Sequence, residues 1–277
     1  MFRHSRIGIL AALCVLAAAG PAFPWGMGAH LWIAEQIVVV PPGSDLQWAA
    51  FYGGMLPDID ASYYLLNRSS VGLVRDLTHG TGYGYVVQCA GSDPLLLAFA
   101  AGWVTHNEVW AADFYAHLAN PCVPGAVPGY VIAKSAVLSG LPGAVRGDYI
   151  ETAIDLLLKR NMDPNLGSRI CRAARQRNPR IPGLLVAAYS PPLFRDTLTR
   201  AEAVFRDSAI SYGNILMFRG STDKYAAASM LAAETLATTG RWVPWWVSLS
   251  YLERAMSACA PDFLPALRCT VAAIKAQ

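Results

Sequence analysis

The chain has 277 residues, 54% hydrophobic and 15% charged, with a formal net charge of +3. Without Arg3 and Arg6, its 22 Lys and Arg fall to 20 against 19 Asp and Glu, so the remainder sits near +1 and advertises no basic face for a long nucleic acid. Mean hydropathy is positive, yet beyond residue 24 charge, proline or glycine breaks every long apolar stretch short of the ~20 residues a spanning helix needs, so a soluble protein with unusually apolar helices is expected.

In chain order, Arg3 and Arg6, the apolar run 7–19 and the small residues and prolines after it have the layout of a secretory signal peptide over residues 1–24. Leu13 is larger than the residue usually found before a lipid-modified cysteine, so Cys14 does not redirect that reading. Cleavage after Ala22 and a secreted or periplasmic location are expected. Residues 25–277 then read as a single all-α domain, because strand patterns are scarce and apolar residues recur at helical spacing. Helices are expected over 29–39, 45–54, 94–119, 148–160, 167–176, 192–209, 222–239, 244–257 and 264–275, punctuated by Pro41-Pro42-Gly43, Pro121 to Pro128, Gly140 to Gly143, Pro191-Pro192, Gly240 and Pro261. Candidate ligands fall in 25–160, leaving 165–277 as a helical buttress. Beyond the leader stand Cys89, Cys122, Cys171, Cys259 and Cys269, which in an oxidising compartment allow up to two disulfides. Cys259 and Cys269, bracketing Pro261 and Pro265, are the expected local pair.

His30, His79, His106 and His117 are the four histidines beyond the leader, and Asp58, Asp60 and Asp113 accompany them. Imidazole and carboxylate together suit zinc and similar divalent ions. At about 100° per residue, His106, Asp113 and His117 fall within roughly 20° of one line on a single helix, whereas Glu108 points away and is not expected to share their ion. A lone histidine on an apolar helix is more often a hydrogen-bonded core residue. Burying three polar groups in the segment 95–118 without a partner would cost several kcal/mol, which a bound cation removes. Tyr63, Tyr64, Tyr83 and Tyr85 flank the ligand segments and either line a headgroup pocket or pack in the core.

Trp25-Gly26-x-x-x-His30, Gly54-Met55-Leu56-Pro57-Asp58-Ile59, His79, and Phe99-x-x-Gly102-Trp103-x-x-His106 leading to Ala112-Asp113-x-x-x-His117 together resemble the zinc-dependent phospholipase C family. That family includes glycosylphosphatidylinositol-specific phospholipase D and is related to zinc-dependent single-strand nucleases. The resemblance covers roughly residues 25–160 and implies an all-α fold of that type. It implies one metal held by Asp58, His79, His106 and Asp113, a neighbouring ion at His117, and a further one at His30 with backbone groups of Trp25. Glu151 and Asp155, four apart on a predicted helix, resemble later acidic ligands of the family; a solvated helix face is the plain alternative. The His106 to Asp113 spacing is seven where the family has four, which on a continuous helix shifts the carboxylate by about 4.5 Å. No histidine follows His117. One or two zinc ions are therefore expected rather than three.

The function so implied is hydrolysis of a phosphodiester, foremost a phospholipid at a membrane surface, with Asp58 as ligand and general base and Asp60 as second-choice base or as the partner that orients a histidine. A single-strand nuclease is the runner-up, disfavoured by the near-neutral charge. A helical binding protein stabilised by a structural ion is the reading without catalysis.

Overall fold

The computed structural model describes residues 25–67 and 71–277, which are helical with no strand among them, as the sequence leads one to expect. The expected leader, residues 1–24, lies outside the described residues. The N-terminal half, which carries the candidate ligands, holds α1 (Met27–Ile37), α2 (Asp45–Met55), α3 (Ile59–Leu66), α4 (Val71–Thr78), α5 (Tyr85–Cys89), α6 (Pro94–Val104), α7 (Tyr130–Ser135) and α8 (Gly143–Asn161). The buttress holds α9 (Leu166–Arg175), α10 (Ile181–Tyr189), α11 (Arg195–Met217), α12 (Thr222–Thr239), α13 (Trp245–Cys259) and α14 (Phe263–Lys275).

Local chemistry sets several of these boundaries. Ser44 starts α2 by accepting from Gln47 N at 3.3 Å, and Asp93 starts α6 by accepting from Leu95 N at 2.8 Å, with Pro94 in the first turn where no backbone donor is needed. Gly240, at φ +69°, ends α12 in the left-handed conformation that glycine adopts without strain.

Two expectations about helices fail. The predicted helix 94–119 stops at Val104, and 105–111 is a loop before the chain turns helical again at 112 and runs into a short π-helical turn, Phe114–Leu118. Thr105 Oγ1 donates to the Gly102 carbonyl at 2.7 Å, and the Asn107 side chain donates to the Val104 carbonyl while accepting from Val109 N at 2.9 Å. These side chains offer the backbone alternatives to the helical ladder. The predicted helix 192–209 begins at Arg195 and runs on to Met217, and the short helices α3, α4, α5, α7 and α10 were not anticipated.

One continuous apolar core runs from Trp25 to Ile274, so the two halves form a single domain. Each half contains a close helix crossing made by a pair of glycines. A Cβ on Gly102 of α6 would stand 1.9 Å from the Ala50 carbonyl oxygen of α2, and one on Gly53 would stand 2.0 Å from the Phe99 carbonyl oxygen. In the buttress, a Cβ on Gly167 of α9 would meet the Gly213 carbonyl oxygen of α11 at 2.4 Å. Only hydrogen at these four positions lets the backbones approach so closely.

The expected disulfide Cys259–Cys269 is replaced by Cys122–Cys269, 147 residues apart in sequence, while Cys259 is buried with a free thiol. The bridge ties the loop after His117 to α14, a pairing set by tertiary packing rather than by sequence proximity. No helix among the described residues is long and apolar enough to cross a membrane.

Candidate metal centre

Four segments converge on one buried point. His30 comes from α1, Asp58 from the 3-10 turn between α2 and α3, His79 from the residue after α4, and His106 with Asp113 from the two ends of the loop that interrupts the predicted long helix. All five residues have 0% relative exposure. His79 Nε2 lies 3.3 Å from Asp58 Oδ1 and 3.5 Å from Asp113 Oδ2. His106 Nε2 lies 3.4 Å from Asp58 Oδ1 and 3.2 Å from Asp113 Oδ2, and His30 Nε2 lies 3.4 Å from Asp113 Oδ1.

The loop explains how His106 reaches Asp113 across seven residues. Ala112 N donates to the Thr105 carbonyl at 3.0 Å and Asp113 N to the His106 carbonyl at 2.9 Å, closing the excursion on itself. The expected 4.5 Å displacement along a continuous helix therefore does not occur. Trp25 helps fix the closing end: its buried indole donates to the Ala112 carbonyl at 2.8 Å and stacks on Tyr130.

The rings are aimed from behind. His106 Nδ1–H donates to the Gly54 carbonyl at 2.8 Å, and His79 Nδ1 shares a hydrogen bond with Thr78 Oγ1 at 2.7 Å, so each Nε2 faces the carboxylates. Such outer partners fix the orientation of ligating imidazoles. Asp60, expected as second-choice base or as the partner that orients a histidine, accepts from Ala61 N and lies 3.6 Å from the Arg75 guanidinium. The His30 and His106 rings stack with centroids 3.7 Å apart and planes 9° from parallel.

Whether these residues fit a cation is answered by their unmade bonds. His30 Nδ1 and Nε2, Asp58 Oδ2, His106 Nε2 and both Asp113 oxygens are buried without a hydrogen-bond partner. Orphaned polar atoms at this depth cost about 1–3 kcal/mol each, and so many in one cluster call for a shared partner. The electrostatics differ from ligand to ligand. Burial lowers His30 and His79 well below the ordinary histidine range. Burial also acts to lower His106, but the carboxylates of Asp113 and Asp58 overturn it and hold that ring above the range. Burial raises Asp58 above the usual carboxylate range. His30 and His79 are thereby held as neutral imidazoles, the form in which histidine ligates metal, whereas a cation bound at the cage would have to displace the proton that the two carboxylates hold on His106.

Three overlapping sets of donors could hold a metal ion: His30, His106 and Asp113; Asp58, His79 and His106; and Glu108, Asp113 and His117. Asp113 belongs to the first and the third, and so stands between the deep cage and its rim. The third set corrects the expectation for Glu108. With the helix interrupted, Glu108 turns toward His117, whose Nδ1 lies 3.1 Å from Glu108 Oε1. Burial would raise the Glu108 carboxyl, but the bonds from His117 and Arg75 outweigh it and bring it down to about 2.

Arg75, which the sequence reading passed over, bonds Glu108 through Nη2 at 2.5 Å. Its place one helical turn before His79 is the signal in the sequence that points to it. The rim formed by Arg75, Glu108 and His117 is part-exposed, at 37%, 26% and 17% of the side chain, unlike the sealed cage behind it.

The two late acids part company. Asp155 is not in the cage: it accepts from Gly28 N and Ala29 N at 2.8 Å each and from Tyr212 Oη at 2.9 Å, capping the start of α1 and holding His30 in place. Glu151 is buried, with Oε2 unpartnered, and its carboxyl is pushed well up by burial and then by the charges of Asp148, Asp58 and Asp113. It feels the cage without joining any of the three donor sets. Among the tyrosines, Tyr63 is packed in the core and accepts from Phe194 N at 3.3 Å, while Tyr83 accepts from the Trp110 indole beside the loop at 2.9 Å. Compared with protein-family models, curated proteins and solved structures, the chain matches none.

Proposed function

We propose that the chain is a zinc-dependent phosphodiesterase of the phospholipase C type, exported by its leader and acting on phospholipid headgroup esters. The observation that carries this reading is the junction of a sealed His/Asp cage with a part-exposed rim, joined through Asp113. The motif order from Trp25 to His117 supports the family assignment, and the Cys122–Cys269 disulfide supports an oxidising compartment.

The cage residues His30, Asp58, His79, His106 and Asp113 would hold the ion, with Glu108 and His117 available to a second. A zinc ion supplies polarisation of a phosphoryl oxygen and activation of water near neutral pH. Asp58 keeps Oδ2 free of any protein donor, so it is the base nearest to hand for a proton released at the cage. Arg75 presents guanidinium donors at the rim, where a phosphate oxygen would otherwise compete with Glu108 for them. Asp60 orients Arg75 and is not the base in this reading.

Turnover of bis-p-nitrophenyl phosphate and of phosphatidylcholine vesicles by the zinc-loaded protein tests the proposal. Asp58→Asn should lower both rates by at least about 100-fold. A protein that retains zinc yet hydrolyses neither substrate would overturn it. Degradation of single-stranded DNA instead would move the assignment to the nuclease branch.

The complete burial of the five cage residues favours one other reading, in which the ion is structural, since structural zinc sites are closed and catalytic ones keep an open position. Zinc that cannot be exchanged without unfolding the protein, together with absent turnover, is the result that reading requires.

A further inference from the structure

The buttress carries a surface that the proposed chemistry does not use. The end of α8, the turn into α9 and the connection between α11 and α12 enclose an open cleft of about 850 Å³, into which Lys159, Arg160, Arg219 and Lys224 all project. Asp223 is the acid in its lining; it is 1% exposed and already held by Lys159 at 2.7 Å and Arg160 at 2.9 Å. Lys224 also pairs with Glu253. Four cations against two carboxylates leave the face positive.

Aromatic side chains continue from this cleft. Phe218 on its wall is 47% exposed, and Tyr225, next to Lys224, is 43% exposed. The Tyr225 ring lies 6.3 Å from Trp245, which lies 6.0 Å from Trp246. Trp242, Trp245 and Trp246 are 65%, 46% and 60% exposed. Three tryptophans within five residues are left in water although the chain has a large core in which to bury them.

We propose that this face docks the protein on an anionic phospholipid bilayer. Tryptophan and tyrosine side chains are at home in the interfacial layer, where the ring is out of water and its polar edge is not. Lysine and arginine beside them meet lipid phosphates. The ring geometry separates this partner from single-stranded nucleic acid: Tyr225 to Trp245 and Trp245 to Trp246 are edge-to-face at 86° and 85°, which gives no run of parallel faces for successive bases. The inference deepens the phospholipid reading above, on which it rests for its motive, but its test measures binding and needs no turnover.

The full chain is mixed with vesicles of phosphatidylcholine alone, or of phosphatidylcholine with phosphatidylglycerol, and the bound fraction is measured by flotation. Binding to the phosphatidylglycerol vesicles is expected, with a blue shift of tryptophan fluorescence and release by salt. Arg219→Ala should weaken it about 5-fold, the effect of one surface cation. The double variant Trp245→Ala with Trp246→Ala should weaken it by at least about 10-fold while the far-ultraviolet spectrum is kept. Asp58→Asn should bind vesicles like the parent, so loss of the proposed chemistry and loss of docking are told apart. No vesicle binding, equal binding by the variants, or self-association through the tryptophans in its place would overturn the proposal.

Discussion

Buried carboxylates are treated differently in the two halves of the molecule. In the buttress, Glu202 accepts from Tyr52 Oη at 2.7 Å and pairs with Arg177, and Asp223 pairs with Lys159 and Arg160. In the N-terminal half, Asp58 and Asp113 lie at the same depth with imidazoles closest to them, and three of their four oxygens are unpartnered. Both halves are built with the same device, a glycine-mediated helix crossing, so the contrast does not come from poorer packing. Glu202 and Asp223 are thus matched by the protein's own cations, whereas no lysine or arginine among the described residues is bonded to Asp58 or Asp113, and a cation from solution would complete the balance there.

Removing the metal should break this contrast most sharply. With free zinc about 1,000-fold above its dissociation constant, chelation should destabilise the protein by about 4 kcal/mol, read as a fall in Tm. Hydrogen exchange should then rise in α1, the 105–117 loop and the end of α4 before it rises in α11 to α14. Uniform loss of protection would mean that the halves do not differ as described. Reducing Cys122–Cys269 frees a loop of 147 residues and cuts the tie between the halves; a loss of roughly 2–5 kcal/mol is expected, measured by urea unfolding with and without reductant.

The two crossings can be set against each other directly. Gly102→Ala and Gly213→Ala should each destabilise by roughly 1–3 kcal/mol, because a methyl group meets backbone at both places. Only Gly102→Ala should also lower zinc content, since α2 carries the Gly54 carbonyl that orients His106. Equal metal retention in both variants would count against that orienting role. Asp155→Asn weakens the acceptor that caps α1 and should cost about 1–2 kcal/mol, with metal affinity falling through His30 rather than through His79.

The smallest effect is a pH limb. Glu108 is depressed to about 2 in the folded chain from an ordinary 4.5. Its contribution is therefore complete above the unfolded value and is lost as pH falls through the window from 4.5 toward 2. In metal-free protein, Glu108→Gln should flatten the stability profile there, a difference visible in denaturant titrations across that range. An unchanged profile would show that the rim pairings are too solvated to matter.

Much of the cage was legible in the sequence because histidine and aspartate in so apolar a chain require a partner wherever they lie. All of His30, Asp58, His79, His106 and Asp113 meet. The geometric reason offered for His106, Asp113 and His117 fails, however: a helix face was inferred, and a closed loop does the work. Thr105 and Asn107 are the local signal for that break, since both bond the backbone readily, but the run 94–104 masks them with its apolar periodicity. Asp155 as the cap of α1 and Cys122 as the partner of Cys269 are contacts across more than a hundred residues, and no local pattern encodes them. Arg75 does carry a local signal, one helical turn before His79, but its partner Glu108 comes from the interrupting loop, which the sequence pattern does not show.

The central claim is that the cage binds a divalent cation, and metal content by mass spectrometry on the purified protein, with His106→Ala beside it, tests it most directly. At least one equivalent of zinc in the parent and a marked loss in the variant are predicted. A parent chain that holds no transition metal even after supplementation would contradict the account, and would make the buried histidines and aspartates a purely structural network.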